Sequence, residues 1–414
     1  MCAVCDVRDG GRKMRGARDG ATCERGRWMP RAKAKLKAST PAIRDPRPAS
    51  FAADANAEIT KYEFPCEVSN GGGGLAVYAT RQIKAGERIL VERPLVLTVA
   101  YAAREHTCAF CLADRRVAED HEWVACSCGV HYYCSERCAN AMAPRHSGVE
   151  CAALGGVDWE SIEEDDRDTL LQGVRILSDR ANAVCLDCGP AGVHGAADAY
   201  TQRLVGLTPS TATARDALDG SCAAILDALP KSSGARVAPN VLLDILERHS
   251  CNLYGVSGRG GEEVAAASFV GFFHLLNHSC VPNVVFDSAR PVAPARFDPD
   301  ADDASTAALP PTFALLALED VQQGHELCIS YTSSAEGPAT RRDHLLEYYG
   351  FECACERCSC DDAAKELDYC DRMDAKRCVV DGCGSGLGVP VIFGDEYLRR
   401  CVHCGEEFEA EDGW

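Results

Sequence analysis

The stretch Leu275-Leu276-Asn277-His278-Ser279-Cys280-Val281-Pro282-Asn283 carries more information about the fold than any other part of the chain. It is followed about forty residues later by Gly324-His325-Glu326-Leu327-Cys328-Ile329-Ser330-Tyr331, and then by Tyr348-Tyr349-Gly350-Phe351-Glu352-Cys353-Ala354-Cys355-Glu356-Arg357-Cys358. Each motif alone is a weak signal, because an Asn-His pair is usually a turn and a tyrosine that ends an apolar strand usually belongs to a core. The three motifs in this order are far more specific, and together they indicate one site.

Cysteine is the second strong signal, since the chain of 414 residues contains 26 of them. Many stand in close Cys-x2-Cys or Cys-x-Cys pairs, which aim two thiolates at one point and suit tetrahedral zinc. Disulfides are typical of small secreted chains, whereas this chain is long and its N-terminus lacks the apolar segment of a secretory signal. The pattern therefore predicts a reducing compartment, nucleus or cytoplasm, and about three or four structural zinc ions.

The first cysteine cluster occupies residues 108–151 and holds eight candidate ligands, the number that two tetrahedral zinc ions require. Without metal, seven thiols would lie close together in a short segment with little apolar core, which could hardly fold without such staples. The eight candidates are Cys108, Cys111, Cys126, Cys128, Cys134, Cys138, His146 and Cys151.

The remaining paired cysteines lie near the end of the chain. Cys353, Cys355 and Cys358 supply three thiolates, so a tetrahedral site there needs a fourth ligand, for which Cys360 is a nearby candidate. Farther on, Cys378-x4-Cys383 and Cys401-x2-Cys404 are separated by 17 residues. That spacing is typical of a small zinc ribbon, in which strands present two metal-binding turns to one ion.

The net charge of −19 is unevenly distributed along the chain. Residues 1–50 contain 13 Lys and Arg against five acidic residues, so the remainder carries a net charge of −27. An acidic body disfavours sequence-independent contact with nucleic-acid phosphates and suits a basic, lysine-containing protein or peptide. No apolar run approaches the ~18 residues that a membrane span needs. We expect a monomer that contacts neither membrane nor nucleic acid directly.

Composition and apolar periodicity divide the chain into segments. The first is rich in Arg, Lys, Ala, Gly and Pro, which predicts a disordered basic tail, although Arg-rich leaders also occur as organelle-targeting peptides. Residues 287–311 read as an exposed loop insertion. The expected order is tail, strands, cysteine cluster, helices, strands and two cysteine-rich terminal segments, at residues 1–58, 62–105, 108–151, 155–250, 251–335, 336–360 and 361–414.

The ordered Asn-His-Ser-Cys-x-Pro-Asn, Gly-x-Glu-Leu-x-x-x-Tyr and Cys-x-Cys-x2-Cys motifs resemble the SET domain. The cluster at residues 108–151, with Tyr132-Tyr133-Cys134-Ser135 inside it, resembles a MYND zinc finger. A MYND finger inserted after the first strands makes the chain similar to the SMYD family of lysine methyltransferases over roughly residues 62–360. The resemblance implies an α+β fold: a β-rich SET domain of small curved sheets, the inserted finger, a helical insert and a zinc-bound C-terminal region. It also implies S-adenosylmethionine-dependent methylation of a protein lysine, in a histone or another protein.

The resemblance further implies how the metal ligands are shared. Pairs interleave in MYND fingers, so one zinc would take the first and third pairs, and the other the second pair with His146 and Cys151. Cys280 would complete the site of Cys353, Cys355 and Cys358. Two spacings depart from the usual pattern, Cys126-x-Cys128 and the long His146–Cys151 interval, and they leave His131 as an alternative ligand. MYND fingers also bind Pro-rich peptides, so a catalytically weak scaffold that docks peptides is the alternative function.

The roles of single residues also follow from the resemblance. It places Asn277 and His278 on the cofactor, and it makes Tyr331 the catalytic tyrosine beside the transferring methyl group. Tyr349 would line the lysine channel, and Phe351 would stack on adenine. A narrow apolar channel would favour the neutral amine of lysine by desolvation, and orientation of the reactants would supply much of the rate.

Two earlier segments also match the family. Asn252 stands where an asparagine contacts the amino-acid end of the cofactor. The glycine run at residues 71–74 corresponds to a Gly-x-Gly motif, in which a missing Cβ lets the backbone approach the cofactor. Gly72 and Gly74 fit that motif in one register, while a second register starts at Gly74 and puts Ala76 in the second glycine's place. His325 replaces a second acidic residue that is common in the Gly-x-Glu-Leu motif.

Overall fold

The computed structural model describes residues 51–71, 74–116, 122–182, 212–258, 261–288, 311–333, 336–360, 363–374, 376–381, 383, 386–393 and 396–409. Several predictions from the sequence lie outside these residues. They are the disordered tail up to residue 50, Gly72 in the glycine motif, and the loop insertion apart from its two ends.

Small antiparallel sheets form the central body, as expected for an α+β fold. One three-stranded sheet has the order β10-β11-β3, and another has the order β4-β8-β7. The middle strand of each is the most completely buried, because it is covered on both faces: all five residues of β11 and five of the six of β8 are buried. The strands are β1 Cys66–Gly71, β2 Gly74–Ala79, β3 Arg88–Glu92, β4 Val96–Val99, β5 Val124–Ala125, β6 Tyr132–Tyr133, β7 Leu253–Ser257, β8 Glu263–Ser268, β9 Asn277–His278, β10 Val284–Phe286, β11 Phe313–Ala317, β12 Cys328–Ile329, β13 Gly388–Phe393, β14 Glu396–Cys401 and β15 Glu407–Glu409.

The main hydrophobic core lies between these sheets and is rich in aromatic rings. Phe269, Phe273, Phe286 and Phe313 pack with ring centroids 4.6–6.0 Å apart. Such edge-to-face and tilted pairs add to the stabilisation that burial of their apolar area provides. The small side chains of β8, which reads Glu-Val-Ala-Ala-Ala-Ser, leave room for these rings. The core thereby fixes the chain on both sides of the Asn277-His278 motif.

Helices pack against one side of this body, mainly in the segment expected to be helical. The longest, α4, is buried from Thr169 to Asp179 and packs on the two helices that follow it. The helices are α1 Phe51–Lys61, α2 Glu136–His146, α3 Val149–Gly155, α4 Glu164–Ala181, α5 Ala212–Ala228, α6 Pro239–Ser250, α7 Pro338–His344 and α8 Ala363–Asp374. A π-helical turn, Leu345–Tyr349, continues α7. No helix in the described part of the chain is long and apolar enough to cross a bilayer.

Helix α1 corrects the expected end of the basic tail at residue 58. The segment that contains residues 51–58 is helical because it reads Phe-Ala-Ala-Asp-Ala-Asn-Ala-Glu-Ile-Thr-Lys, in which alanines favour helix and Ile59 faces the core. The Asn56 amide also docks the helix on β1, donating to the Val68 carbonyl at 2.8 Å and accepting from the Val68 N–H at 2.7 Å. The ordered body therefore extends at least to Phe51.

The C-terminal cysteine segment folds as a three-stranded antiparallel sheet, β13-β14-β15. We call residues 376–409 the ribbon. Its Val389 and Val402 pack against Ala314 and Leu316 of the central sheet. The turn before β3 approaches the ribbon so closely that a Cβ on Gly86 would lie 2.5 Å from the carbonyl oxygen of Pro390. The ribbon is thus part of the body rather than an appendage.

Candidate active site

The two central motifs meet as a parallel strand pair. Residue Asn277 of β9 is in register with Cys328 of β12, and His278 is in register with Ile329. The pairing joins segments about fifty residues apart and brings Tyr331, just beyond β12, beside His278. The three motifs recognised in the sequence therefore form one site.

Asn277 is held by its side chain. Its Nδ2 donates to Oε1 of Glu326 at 2.7 Å and lies 3.5 Å from the carbonyl oxygen of Leu75, which follows the glycine run. Hydrogen bonds to a carboxylate are stronger than neutral ones, so Glu326 fixes the rotamer of Asn277. The amide thereby links the glycine hairpin, β9 and the strand that leads to Tyr331.

The His278 imidazole connects two parts of the site. Its Nδ1 accepts a hydrogen bond from the Tyr331 backbone N–H at 2.9 Å, and its Nε2 lies 3.1 Å from Sγ of Cys280. Because Nδ1 is an acceptor, the proton of a neutral ring is on Nε2 and points to that sulfur. The side chain therefore connects the Tyr331 backbone to the cysteine cluster that contains Cys280. Its contact with the cofactor stays a prediction.

Tyr331 stands at the centre of the site. Its hydroxyl donates to the carbonyl oxygen of Leu276 at 2.6 Å, and its ring lies 4.8 Å from the ring of Tyr349. Burial, reinforced by Tyr349, raises the pKa of Tyr331 above its usual value, so the hydroxyl keeps its proton at neutral pH. With its proton directed at Leu276, the oxygen can accept a hydrogen bond from an incoming amine.

A cavity of about 490 Å³ opens on one side of Tyr331. Tyr331, Tyr349 and Asn252 line it, whereas Asn277, His278 and Phe351 are not among the described residues that do. Tyr331 therefore borders the cavity and also contacts His278. A group in the cavity and a group bound at His278 would both reach Tyr331.

The other predicted cofactor residues take different positions. Phe351 lies 6.0 Å from His278 and 6.4 Å from Tyr331, ring to ring, and it is not among the described residues that line the cavity. Gly74 begins β2 with a φ of +127°, and no atom lies within 4 Å of a Cβ placed there. The backbone at Gly74 is thus open on the side where an added Cβ would stand. Asn252 follows α6, and its Nδ2 donates to the carbonyl oxygen of Arg248 at 2.8 Å.

One thiol cluster lies directly behind this site. The Cys280 Sγ is 3.4 Å from the Cys358 Sγ and 4.0 Å from the Cys353 Sγ, and Cys355 completes the group. Four sulfurs around one zinc with bonds of ~2.3 Å lie about 3.8 Å apart, so the donor set fits that metal. The group ties the segment that carries Tyr349 and Phe351 to the loop after His278. The fourth member is Cys280, as the resemblance implies, rather than Cys360.

Two more clusters lie in the finger, and they contain the interleaved sets that the resemblance implies. In the first, the Cys134 Sγ lies 3.5 Å from both the Cys111 and the Cys138 sulfurs, and Cys108 is the fourth member. The second brings together Cys126, Cys128, His146 and Cys151. Its His146 Nε2 lies 3.1 Å from the Cys126 Sγ and 3.5 Å from the Cys128 Sγ. Both donor sets, four thiols and three thiols with one imidazole, are those of structural zinc sites.

A buried carboxylate orients His146 in the second finger cluster. The His146 Nδ1 is 3.0 Å from Oε2 of Glu150, while Oε1 of Glu150 accepts from Arg175 Nε at 2.7 Å. Arg175 also contacts His131 Nε2 at 3.0 Å and donates to the carbonyl oxygen of Leu97 at 3.2 Å. His131, the alternative ligand, therefore packs against Arg175, and His146 presents its Nε2 to the cysteines.

The fourth cluster lies in the ribbon and joins both predicted pairs. The Cys378 and Cys404 sulfurs are 3.7 Å apart, as are those of Cys383 and Cys401. All four sulfurs lie within 4.8 Å of one another, so this donor set fits zinc as well. None of the described cysteines is part of a disulfide.

Comparison with known families agrees with this geometry. The family model of the SET domain matches residues 74–332, more than half of the chain.

The chain belongs to the SET-domain family.

Its relatives place this SET-domain protein near the SMYD group. It is 24% identical to Histone-lysine N-methyltransferase ASHR2 of Arabidopsis thaliana over 310 residues, 70% of each chain. It is 24% identical to human Histone-lysine N-methyltransferase SMYD3 over 302 residues, 72% of this chain and 61% of that protein. A SET and MYND domain-containing protein of Dictyostelium discoideum is 33% identical over 129 residues, 30% of this chain and 21% of that protein. The SMYD-like assignment made from the motifs is therefore confirmed.

The chain covers only part of the length of several relatives. The chain spans 61% of human SMYD3, and 58% of a second Arabidopsis relative, Histone-lysine N-methyltransferase ASHR1. Among solved structures, the SET domain of LSMT bound to lysine and AdoHcy is 13% identical, with a TM-score of 0.31 over 80% of this chain and 65% of that one.

Three acidic residues that position the site or a metal ligand were given no role from the sequence, although Glu326 stands in the recognised Gly-x-Glu-Leu motif. Glu326 fixes Asn277, and Glu150 orients His146. Glu92 is fully buried, and its carboxylate accepts from the backbone N–H groups of Gly271, Phe272 and Phe273 at 2.6–2.9 Å, which anchors the segment leading to Asn277. In the sequence, Glu92 directly follows the apolar residues Ile-Leu-Val of β3 and precedes Arg-Pro. An acidic residue at the end of such an apolar strand was the sequence feature that could have indicated its role.

Proposed function

We propose that this SET-domain protein is an S-adenosylmethionine-dependent protein-lysine N-methyltransferase. The observation that carries the proposal is the parallel pairing of β9 with β12, which sets Tyr331 between the Asn277–His278 pair and a cavity. Methyltransferase relatives support the same activity, since ASHR2 and SMYD3 are named histone-lysine methyltransferases.

We place the cofactor on the side of Tyr331 that contacts His278. Gly74 leaves its backbone open to a ligand, and Phe351 offers an aromatic face near His278. The residues that would hold S-adenosylmethionine there are Gly74, Asn277, His278 and Phe351, whereas Asn252 lines the cavity. When bound, S-adenosylmethionine supplies an electrophilic methyl group on a sulfonium.

The protein's own residues prepare the lysine. The rings of Tyr331 and Tyr349 flank its path, and their apolar faces disfavour the ammonium form of a group whose reference pKa is ~10.4. The Tyr331 oxygen accepts a hydrogen bond from the neutral amine and so directs the nitrogen lone pair along the line of transfer. This orientation contributes more to the rate than proton transfer does, because it converts a bimolecular step into an effectively unimolecular one.

The test of this proposal is transfer of a labelled methyl group from S-adenosylmethionine to core histones by the zinc-loaded protein. We expect Tyr331→Phe to lower kcat by about a hundredfold or more, since it removes the oxygen that orients the amine. Tyr62→Phe is the matched control, because Tyr62 is 42% exposed and does not line the cavity. Full activity in both variants would contradict the assigned role, and absence of transfer by the wild type would favour the scaffold function.

We also propose that each of the four clusters holds one zinc ion. The support is chemical: each offers four soft or borderline ligands whose spacing suits a tetrahedral ion. Elemental analysis of protein expressed in zinc-supplemented medium tests this, with about four zinc ions per chain as the expected result. A stable, folded protein with one zinc or none would contradict it.

A further inference from the structure

The cavity beside Tyr331 has two walls of different origin. Tyr331 lies at the end of the SET domain and Tyr349 on the π-helical turn that follows it, whereas another part of the lining comes from the ribbon, which lies beyond the SET motifs in the sequence. The ribbon residues that line the cavity are Gly386, Leu387, Val402 and His403. The sequence motifs assign these four ribbon residues no role in the reaction.

This second wall is fixed to the SET domain by specific contacts. The Ser257 Oγ lies 2.6 Å from the His403 Nδ1, and the Ser288 Oγ donates to the carbonyl oxygen of Val402 at 2.6 Å. Arg400 of β14 forms a two-pronged ion pair with the buried Asp287, at 2.6 and 3.2 Å. With the apolar packing of Val389 and Val402, these contacts hold the ribbon at the cavity edge.

The charge of the lining is one-sided. Among the described residues that line the cavity, Glu263 is the sole carboxylate, and neither lysine nor arginine is present. Glu263 lies next to the ribbon side, because it is in register with Ser257, whose hydroxyl contacts His403. The carboxylate is thus placed to meet a cationic group at the ribbon end of the cavity.

We propose that the ribbon is the substrate-selecting wall of this methyltransferase: the target lysine lies at Tyr331, and its neighbour in the substrate lies against Leu387, Val402 and Glu263. This wall favours a basic neighbour and disfavours an acidic one. The proposal rests on the proposed function and deepens it, since it assigns the chemistry of the residue beside the lysine.

The first experiment compares two matched apolar-to-basic substitutions in the ribbon, assayed with labelled S-adenosylmethionine on core histones. Leu387 lines the cavity, whereas Val379 is 71% exposed and does not. Because a lysine at the wall repels a basic neighbour, we expect Leu387→Lys to lower kcat/KM at least tenfold with cofactor affinity and zinc content unchanged, and Val379→Lys to stay within twofold of the wild type. Equal kcat/KM in the two variants would overturn the inference and leave the proposed function standing.

A second variant tests the proposal independently if Leu387→Lys loses its zinc. Glu263→Gln lies outside the ribbon, and it should weaken the preference for Lys or Arg over Asp or Glu beside the target lysine, measured on a peptide array, by at least fivefold. Glu407→Gln, an exposed ribbon residue outside the cavity, is the control and should leave the preference intact. An unchanged preference in Glu263→Gln, or none in the wild type, would overturn the inference. A wild type that neither binds the cofactor nor transfers methyl would overturn the proposed function and the inference together.

Discussion

The finger and the ribbon are both small cysteine-rich units, yet they are joined to the SET domain in different ways. The part of the finger around the Cys108, Cys111, Cys134 and Cys138 cluster packs on itself, around Phe110, Trp123 and Met142, and none of the described finger residues lines the cavity. The ribbon instead packs on the sheet β10-β11-β3 and supplies part of the cavity wall. Two units with the same metal chemistry can therefore serve a fold differently, one beside the site and one within it.

The largest expected difference between the two units comes from removing one metal ligand in each. Cys401→Ser should release the ribbon metal, disorder the wall of the cavity and lower kcat/KM on core histones by about a hundredfold, or ~2.7 kcal/mol. Cys134→Ser should release a finger metal and leave kcat/KM within about threefold, because that cluster is remote from the cavity. Zinc analysis of both variants checks the metal loss. Equal losses of activity in the two variants would contradict the claim that the ribbon supports the cavity and the finger does not.

The second finger cluster, with Cys126, Cys128, His146 and Cys151, differs from the first because Glu150 connects it to helix α4. Glu150→Gln removes the carboxylate that orients His146 and leaves Arg175, which is fully buried, without its counter-charge. We expect about tenfold to hundredfold weaker zinc binding at that cluster, and about 3 kcal/mol lower unfolding free energy. Chelator competition and urea unfolding measure the two effects.

The control for this variant is Glu136→Gln, an exposed finger residue. It should change neither zinc affinity nor stability. If Glu150→Gln behaves in the same way, Glu150 does not position the ligand.

The smallest expected effect compares two glycines in turns of the SET domain. Gly86 and Gly324 have φ values of +79° and +82°, but a Cβ on Gly86 would meet the Pro390 carbonyl oxygen, while none of the described atoms lies within 4 Å of one on Gly324. Alanine at Gly324 should cost about 1 kcal/mol from backbone strain alone. Alanine at Gly86 should cost about 1 kcal/mol more, because it also pushes against the ribbon.

Thermal unfolding and limited proteolysis measure this pair. Faster cleavage within the ribbon should occur in Gly86→Ala only. Identical unfolding and cleavage of the two variants would show that the Gly86–Pro390 contact does not support the ribbon.

The sequence predicted the site better than its surroundings. Motifs with fixed spacing identified Asn277, Tyr331 and the cysteine clusters, because metal and cofactor chemistry restrict both residue type and separation. The roles of Glu326 and Glu150 were not predicted, although Glu326 stands in a recognised motif, because a sequence does not show which side chain an acidic residue orients. Helix α1 was missed for a related reason: the neighbouring basic segment dominated the composition, and the Asn56–Val68 contact is long-range.

The position of the ribbon could not be predicted from the sequence either. Its cysteine spacing predicted a metal site, but the position of the unit against β11 depends on pairings such as Arg400 with Asp287, which are distant in the chain. Residue type and local spacing carry no information about such contacts. For that reason the second wall of the cavity emerged only from the structure.

The most direct test of the central claim is calorimetric titration of S-adenosylmethionine into the zinc-loaded protein, with Asn277→Ala and the exposed finger variant Asn140→Ala in parallel. We predict a Kd on the order of micromolar for the wild type and for Asn140→Ala, and binding weakened by about a hundredfold or more in Asn277→Ala. No heat of binding from folded, metal-loaded wild-type protein would contradict the assignment of this SET domain as a methyltransferase.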